Sequence, residues 1–98
     1  MAAKSKAIVI NDKDNVATMI APMKAGATVS LEIQGRTEKI KLLSDIPLGH
    51  KFALRDIEQG ADVVKYGEPI GMTTARIPKG AHVHVHNVVS HRGRKEGA

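Results

Sequence analysis

The sequence predicts a small, mainly β domain built of many short strands. Three observations lead there. Apolar residues fall in short, β-branched runs bounded by Gly, Pro, Asn and Asp, as strands between turns do. No segment carries an apolar stripe of helical period over the length of a helix. One turn grammar recurs four times, in Met23-Lys24-Ala25-Gly26-Ala27-Thr28-Val29, Ile46-Pro47-Leu48-Gly49-His50-Lys51-Phe52, Ile57-Glu58-Gln59-Gly60-Ala61-Asp62-Val63 and Ile77-Pro78-Lys79-Gly80-Ala81-His82-Val83. Each copy has an apolar anchor, two turn-like residues, a glycine, two residues and a second apolar residue. The glycine supplies a positive φ in a turn that feeds a strand. The spacing between copies is irregular, so the grammar is a repeated device and not a solenoid repeat.

The elements follow in order. Residues 6–10 read as a strand. Residues 16–20 are short and fit strand or helix. Residues 28–33 and 37–42 flank Gln34-Gly35-Arg36 and read as a hairpin. Residues 51–54 form a short strand, followed by a turn or a single helical turn at 55–59. Residues 62–65 are another strand, 69–75 are extended, and 81–89 form a histidine-rich strand. Residues 5–90 make one domain, and 91–98 a flexible basic tail.

Composition narrows the chemistry. The 98 residues suffice for one small domain, which at this size is often completed by a partner. With one Phe and one Tyr, the core must be aliphatic. The absence of cysteine excludes disulfides, thiolate zinc sites, iron–sulfur ligation by this chain and a Cys nucleophile. No apolar run approaches the roughly 20 residues of a membrane span, and the N-terminus does not read as a secretory signal, so a cytoplasmic protein is expected. The net charge of +5 points to an anionic partner or substrate. Nucleic acid is disfavoured, because single-strand binders rely on aromatic stacking platforms. Asp12 or Asp14 reads as a turn or helix cap, since the oxygen ligands of a calcium loop are missing. No nucleophile elbow, P-loop or dinucleotide fingerprint is present.

The chemical signal is concentrated in Ala81-His82-Val83-His84-Val85-His86-Asn87. On a strand, His82, His84 and His86 share one face and Val83 and Val85 point into the core. Three readings stand: metal or anion ligation, proton transfer, and an exposed face that is merely His-rich. The outer pair is roughly 13 Å apart on a strand, so two ligands from the run and a third from elsewhere, or from a partner, suit one ion best. His50 and Lys51, directly after a glycine turn, can present a proton carrier and a cation to an anion. Lys65-Tyr66-Gly67-Glu68 gathers an ammonium, a phenol and a carboxylate in a turn.

Several of these segments occur together, and in this order, in one family: Asp14-Asn15-Val16-Ala17, Gly49-His50-Lys51-Phe52-Ala53-Leu54, Lys65-Tyr66-Gly67, Ile70-Gly71 and Gly80 through Asn87. Over roughly residues 5 to 90 the chain resembles the small SAF-type domain of the altronate and galactarate dehydratase family. That domain also stands alone as the alpha subunit of sulfolactate sulfo-lyase. The alternating histidines align the chain with the altronate and sulfolactate branch; Ala81 departs from it, where an acidic residue is usual. The resemblance implies a SAF-like β-clip fold. It implies β-elimination of water or sulfite from a 2,3-substituted carboxylic acid, completed by a separate large subunit. It implies a divalent metal, Fe²⁺ favoured over Mn²⁺ or Zn²⁺, held by His82, His84 and His86. His50 and Lys51 are the catalytic candidates, and Lys65, Tyr66 and Asn87 the substrate-binding ones. The implied partners are the large subunit and a small anionic substrate, with room for a homo-oligomer and no role for nucleic acid or membrane. The rival expectation is a non-catalytic SAF-type docking module that stabilises or regulates a partner.

Overall fold

A computed structural model describes residues 7–9, 13–33 and 35–90. Nine strands run in chain order: β1 (Ala7–Ile8), β2 (Val16–Met19), β3 (Thr28–Ile33), β4 (Arg36–Lys41), β5 (Lys51–Ala53), β6 (Asp62–Lys65), β7 (Glu68–Thr73), β8 (His82–Val83) and β9 (Val88–Ser90). The described residues contain no helix, so the mainly β expectation holds. The predicted tail at 91–98, the ends of the first predicted strand and Asp12 lie outside the described residues.

The strands make a four-stranded sheet ordered β1-β2-β5-β8, a β3-β4 hairpin and a three-stranded sheet ordered β6-β7-β9. Every pairing is antiparallel. The four-stranded sheet is covered on both faces, and period-two alternation decides which side chain goes where. Ala17, Met19 and Phe52 face a core built with Val29, Leu31, Ile40 and Leu42 of the β3-β4 hairpin. Val16, Ala53 and Val83 face a second core with Ile57, Val63 and Ile77. Phe52 is fully buried; truncating such a side chain to Ala costs about 3–5 kcal/mol.

The recurrent grammar is a recurrent structure. Gly26, Gly49, Gly60 and Gly80 have φ of 89°, 83°, 83° and 87°. The anchors pair as isolated bridges, Met23 with Ile46 and Ile57 with Ile77. In each copy the glycine N–H donates to a strand carbonyl, Leu42, Met19, Thr73 and Ala53 in turn. That same strand residue donates its N–H back to the carbonyl just after the glycine. A carboxylate caps each pair of turns: Asp45 Oδ1 accepts from the Ala25 N–H at 2.8 Å, and Asp56 Oδ1 from the Lys79 N–H at 2.9 Å.

One expectation is narrowed and one needs correction. The segment 55–59, read as a turn or single helical turn, is bend and turn without helix, and Ile57 bridges Ile77 within it. More important, the histidine-rich segment is not one strand. β8 ends at Val83, a turn occupies residues 84–87, and β9 begins at Val88. β8 belongs to the sheet of β5 and β9 to the sheet of β7, so the chain must change sheets between them. Val83 is buried, but Val85, expected in the core, is 82% exposed.

Candidate functional site

Antiparallel register brings His50 to the histidine segment. Lys51 is opposite Val83 and Phe52 is opposite His82. His50, one residue before β5, therefore stands across from His84 and diagonal to His82, within side-chain reach. The ring contacts follow that order. The His50 and His84 centroids are 3.9 Å apart and stacked at 15°, and those of His50 and His82 are 5.1 Å apart at 17°. His50 Nδ1 and His82 Nε2 are 2.9 Å apart. One nitrogen of each of His50, His82 and His84 lies within 4.8 Å of the others. His86 is exposed, tilted 40° to His82 at 5.1 Å, and outside this convergence.

The turn at 84–87 is held by Asn87. Its side-chain oxygen accepts from the His84 N–H at 2.9 Å, and its side-chain amide donates to the His82 carbonyl at 2.8 Å. Its own N–H donates to the His84 carbonyl and its carbonyl accepts from Thr74 N–H. Both ends of the Asn87 amide are thus committed to the backbone that carries His82 and His84.

Beside the histidines lies a groove of about 220 Å³ whose lining includes Lys51, Val63, Ile70, Val83, His84 and Val88. Burial, then the charge of Lys65, lowers the Lys51 pKa. Among the described residues no carboxylate forms an ion pair with either lysine. His82 is held below the usual histidine range by burial, then by His86, His50 and His84. His84 is lowered by desolvation, then by His50, Lys51 and His86. The wall is cationic, and its own crowding favours neutral imidazoles.

The Lys65-Tyr66-Gly67 turn is the strained element. Lys65 pairs with Glu68, and Tyr66 and Gly67 have φ of 58° and 75°. Positive φ at both central residues marks a type I′ hairpin turn, in which Asn or Gly is the usual first residue. Tyr66 is the one non-glycine residue with positive φ among those described. Neighbours hold it there. The buried Asp14 accepts the Gly67 N–H at 2.8 Å. Asn15 Oδ1 accepts the Val64 N–H at 2.8 Å, and its amide donates to the Asp62 carbonyl at 2.9 Å. The Lys65 ammonium sits 4.7 Å from the Tyr66 ring centre. A small cavity of about 60 Å³, lined by Thr18, Lys65 and Tyr66 among others, adjoins this turn. Thr18 is opposite Lys51 in the sheet, which links the turn to the wall.

Residues 5–91 match the altronate/galactarate dehydratase SAF domain. The chain belongs to that family. It is 48% identical over 80 residues to altronate dehydratase of Escherichia coli (strain K12), covering 82% of this chain and 15% of that protein. It is 35% identical over 88 residues to the (2R)-sulfolactate sulfo-lyase subunit alpha of Chromohalobacter salexigens, covering 86% of this chain and 94% of that one. Galactarate dehydratase (L-threo-forming) of E. coli (strain K12) is 35% identical over 78 residues, 14% of its length. The SAF domain therefore makes up a small part of the dehydratases and nearly the whole of the alpha subunit.

Asp14 and Asn15 hold the Lys65-Tyr66-Gly67 turn through partners about fifty residues away, and in the sequence they stand out only as a cap and as one of the segments shared with the family.

Proposed function

We propose that this chain is the small subunit of a cytoplasmic lyase that eliminates water or sulfite from a 2,3-substituted carboxylic acid such as altronate or sulfolactate, completed by a separate large subunit and inactive without it. The observation that carries this is the convergence of His50, His82 and His84, with Lys51 and His84 lining the adjoining groove. These are the segments that resemble the family, and the fold alone does not require them. The length match to a sulfo-lyase alpha subunit supports a subunit role.

In the elimination, the C–H beside the carboxylate loses its proton and the C–O or C–S bond breaks, the hydroxyl taking up a proton to leave as water or the sulfonate leaving as sulfite. The resulting enol tautomerises to a 2-keto acid. Lys65 holds the substrate's anionic groups. Lys51, whose pKa is lowered by burial and then by the charge of Lys65, accepts the proton, and His50 stands with His82 and His84 among the imidazoles that would hold a metal ion. The Tyr66 phenol contacts substrate, while Asn87 positions His82 and His84. Imidazoles suit the divalent ion of such a reaction, with Fe²⁺ favoured and Mn²⁺ or Zn²⁺ as alternatives. Such an ion supplies Lewis-acid stabilisation of the charge that develops beside the carboxylate.

The test is co-purification with the large subunit and assay of 2-keto acid release from altronate and from sulfolactate. His50→Ala and Lys51→Ala should leave the complex intact and lower kcat by roughly 10²-fold or more, the scale of a lost acid–base group. A large subunit that turns over at full rate without this chain would overturn the reading in favour of a docking module.

A further inference from the structure

We infer that His50, His82 and His84 form one transition-metal site, with His86 outside it. The alternating run His82-His84-His86 is thereby regrouped: His50, from a distant turn, takes the place of His86. The site's meaning in the cell rests on the lyase reading above, but metal binding can be measured without turnover.

Four observations carry the regrouping. First, the register places His50 across from His84 and diagonal to His82, and one nitrogen of each lies within 4.8 Å of the others. Two nitrogens bound to one ion at ~2.1 Å are roughly 3.0–3.4 Å apart for right-angled to tetrahedral geometry. His50 Nδ1 and His82 Nε2, at 2.9 Å, are already near that spacing. Second, the backbone does not ask for histidine there. The residue after the turn glycine is Ala27, Ala61 or Ala81 in the other three copies, and His50 only in this one. Third, the His50–His82 contact needs one bare nitrogen, because N–H···N bonding has one donor and one acceptor. That lone pair is what a metal takes, and the ring that carries the N–H binds through the same nitrogen once its proton has moved to the other ring nitrogen. Fourth, Asn87 fixes the backbone on both sides of Val83, so His82 and His84 are delivered together.

The rings are nearly parallel, within 17° of one another. Closing on one ion therefore takes rotation about χ2, a broad torsion for histidine. All three are only partly buried, which leaves room for that motion. Three imidazoles select the Fe, Co, Ni, Cu and Zn group over Mg²⁺ or Ca²⁺, which prefer oxygen. Three protein ligands leave positions open for oxygen donors of a substrate.

The experiment is titration of the untagged chain with Co²⁺, read by visible absorption, and with Zn²⁺, read by calorimetry. The wild type and His86→Ala should bind one equivalent with affinities equal within a few-fold. His50→Ala, His82→Ala and His84→Ala should each lose more than roughly 100-fold, beyond the 10–100-fold typical of an outer partner, and Asn87→Ala should fall within that range. His50→Ala gives this turn the residue its three counterparts carry, so folding should survive; circular dichroism checks it. Equal losses in His86→Ala and His50→Ala, or no binding by the wild type, would overturn the site. An active complex whose small subunit binds no metal would overturn the site and leave the lyase reading standing. Metal binding lost in His50→Ala without loss of lyase activity would do the opposite.

Discussion

The β3-β4 and β6-β7 hairpins hang from the same paired glycine turns, yet only one is irregular. β3-β4 pairs without a break from Thr28↔Lys41 to Ile33↔Arg36. β6-β7 shifts register between Val63 and Val64, closes through the strained Tyr66 turn and recruits β9 as a third strand. Gly71 lets β9 approach, since a Cβ there would lie 2.6 Å from a Val88 methyl and 2.7 Å from the Val89 carbonyl oxygen. The regular half is a scaffold. The irregular half, the end of β8 and the start of β5 carry the groups suited to chemistry, and the first of these keeps to the tendency of bulges and backbone strain to gather at functional sites.

The largest expected effect separates turns that differ in packing but share a backbone. A Cβ on Gly80 would lie 2.2 Å from the Lys41 carbonyl oxygen, whereas one on Gly26 meets nothing within 4 Å. Both glycines have strongly positive φ. Gly26→Ala should therefore cost about 1–2 kcal/mol of stability, and Gly80→Ala a further 1–3 kcal/mol or so from overpacking. Urea unfolding midpoints check this; equal costs would mean that the turns are not packed differently.

The next effect falls on the strained turn. Asp14→Ala should cost about 2 kcal/mol, because a buried charged acceptor of the Gly67 N–H is lost. Tyr66→Asn should act in the opposite direction, stabilising by about 1 kcal/mol, since Asn-Gly suits a type I′ turn. The same variant should weaken lyase activity in the complex. If Tyr66→Asn destabilises the chain, the strain is not real and the contrast between the halves weakens.

The smallest effect is the pH dependence of the metal-free chain. His82 and His84 have folded pKa values below their ordinary value of 6.5. Between the folded and unfolded values the unfolded chain binds more protons, so stability rises with pH there. Their contribution is complete above about pH 6.5 and is lost as pH falls through the lowered folded values. Melting curves from pH 7.5 down to 5 should show this decline, and a His82→Asn/His84→Asn double variant should flatten it.

Much of the fold was legible in the sequence because it is written locally. The β-branched run 28–33 and its partner 37–42 announce a hairpin, observed one residue earlier in its second strand at Arg36–Lys41, and the four glycine turns announce themselves by one grammar. The histidine segment was misread for a physical reason. Its His-Val alternation satisfies a strand locally, but the change from the sheet of β5 to the sheet of β7 is a tertiary event, executed by Asn87. His50 was legible as a chemical residue and not as a neighbour of His84, because antiparallel register across some thirty residues is invisible in either segment alone. The strain at Tyr66 was hidden in the same way, since Asp14 and Asn15 impose it from the other end of the chain.

In the proposed site the turn scaffold, and not the alternating run, selects the histidines that work together. Anomalous diffraction from crystals of the chain grown with Zn²⁺ tests it most directly. A single peak about 2.1 Å from one nitrogen each of His50, His82 and His84 is the predicted result. A peak held by His86, or bound without His50, would contradict it.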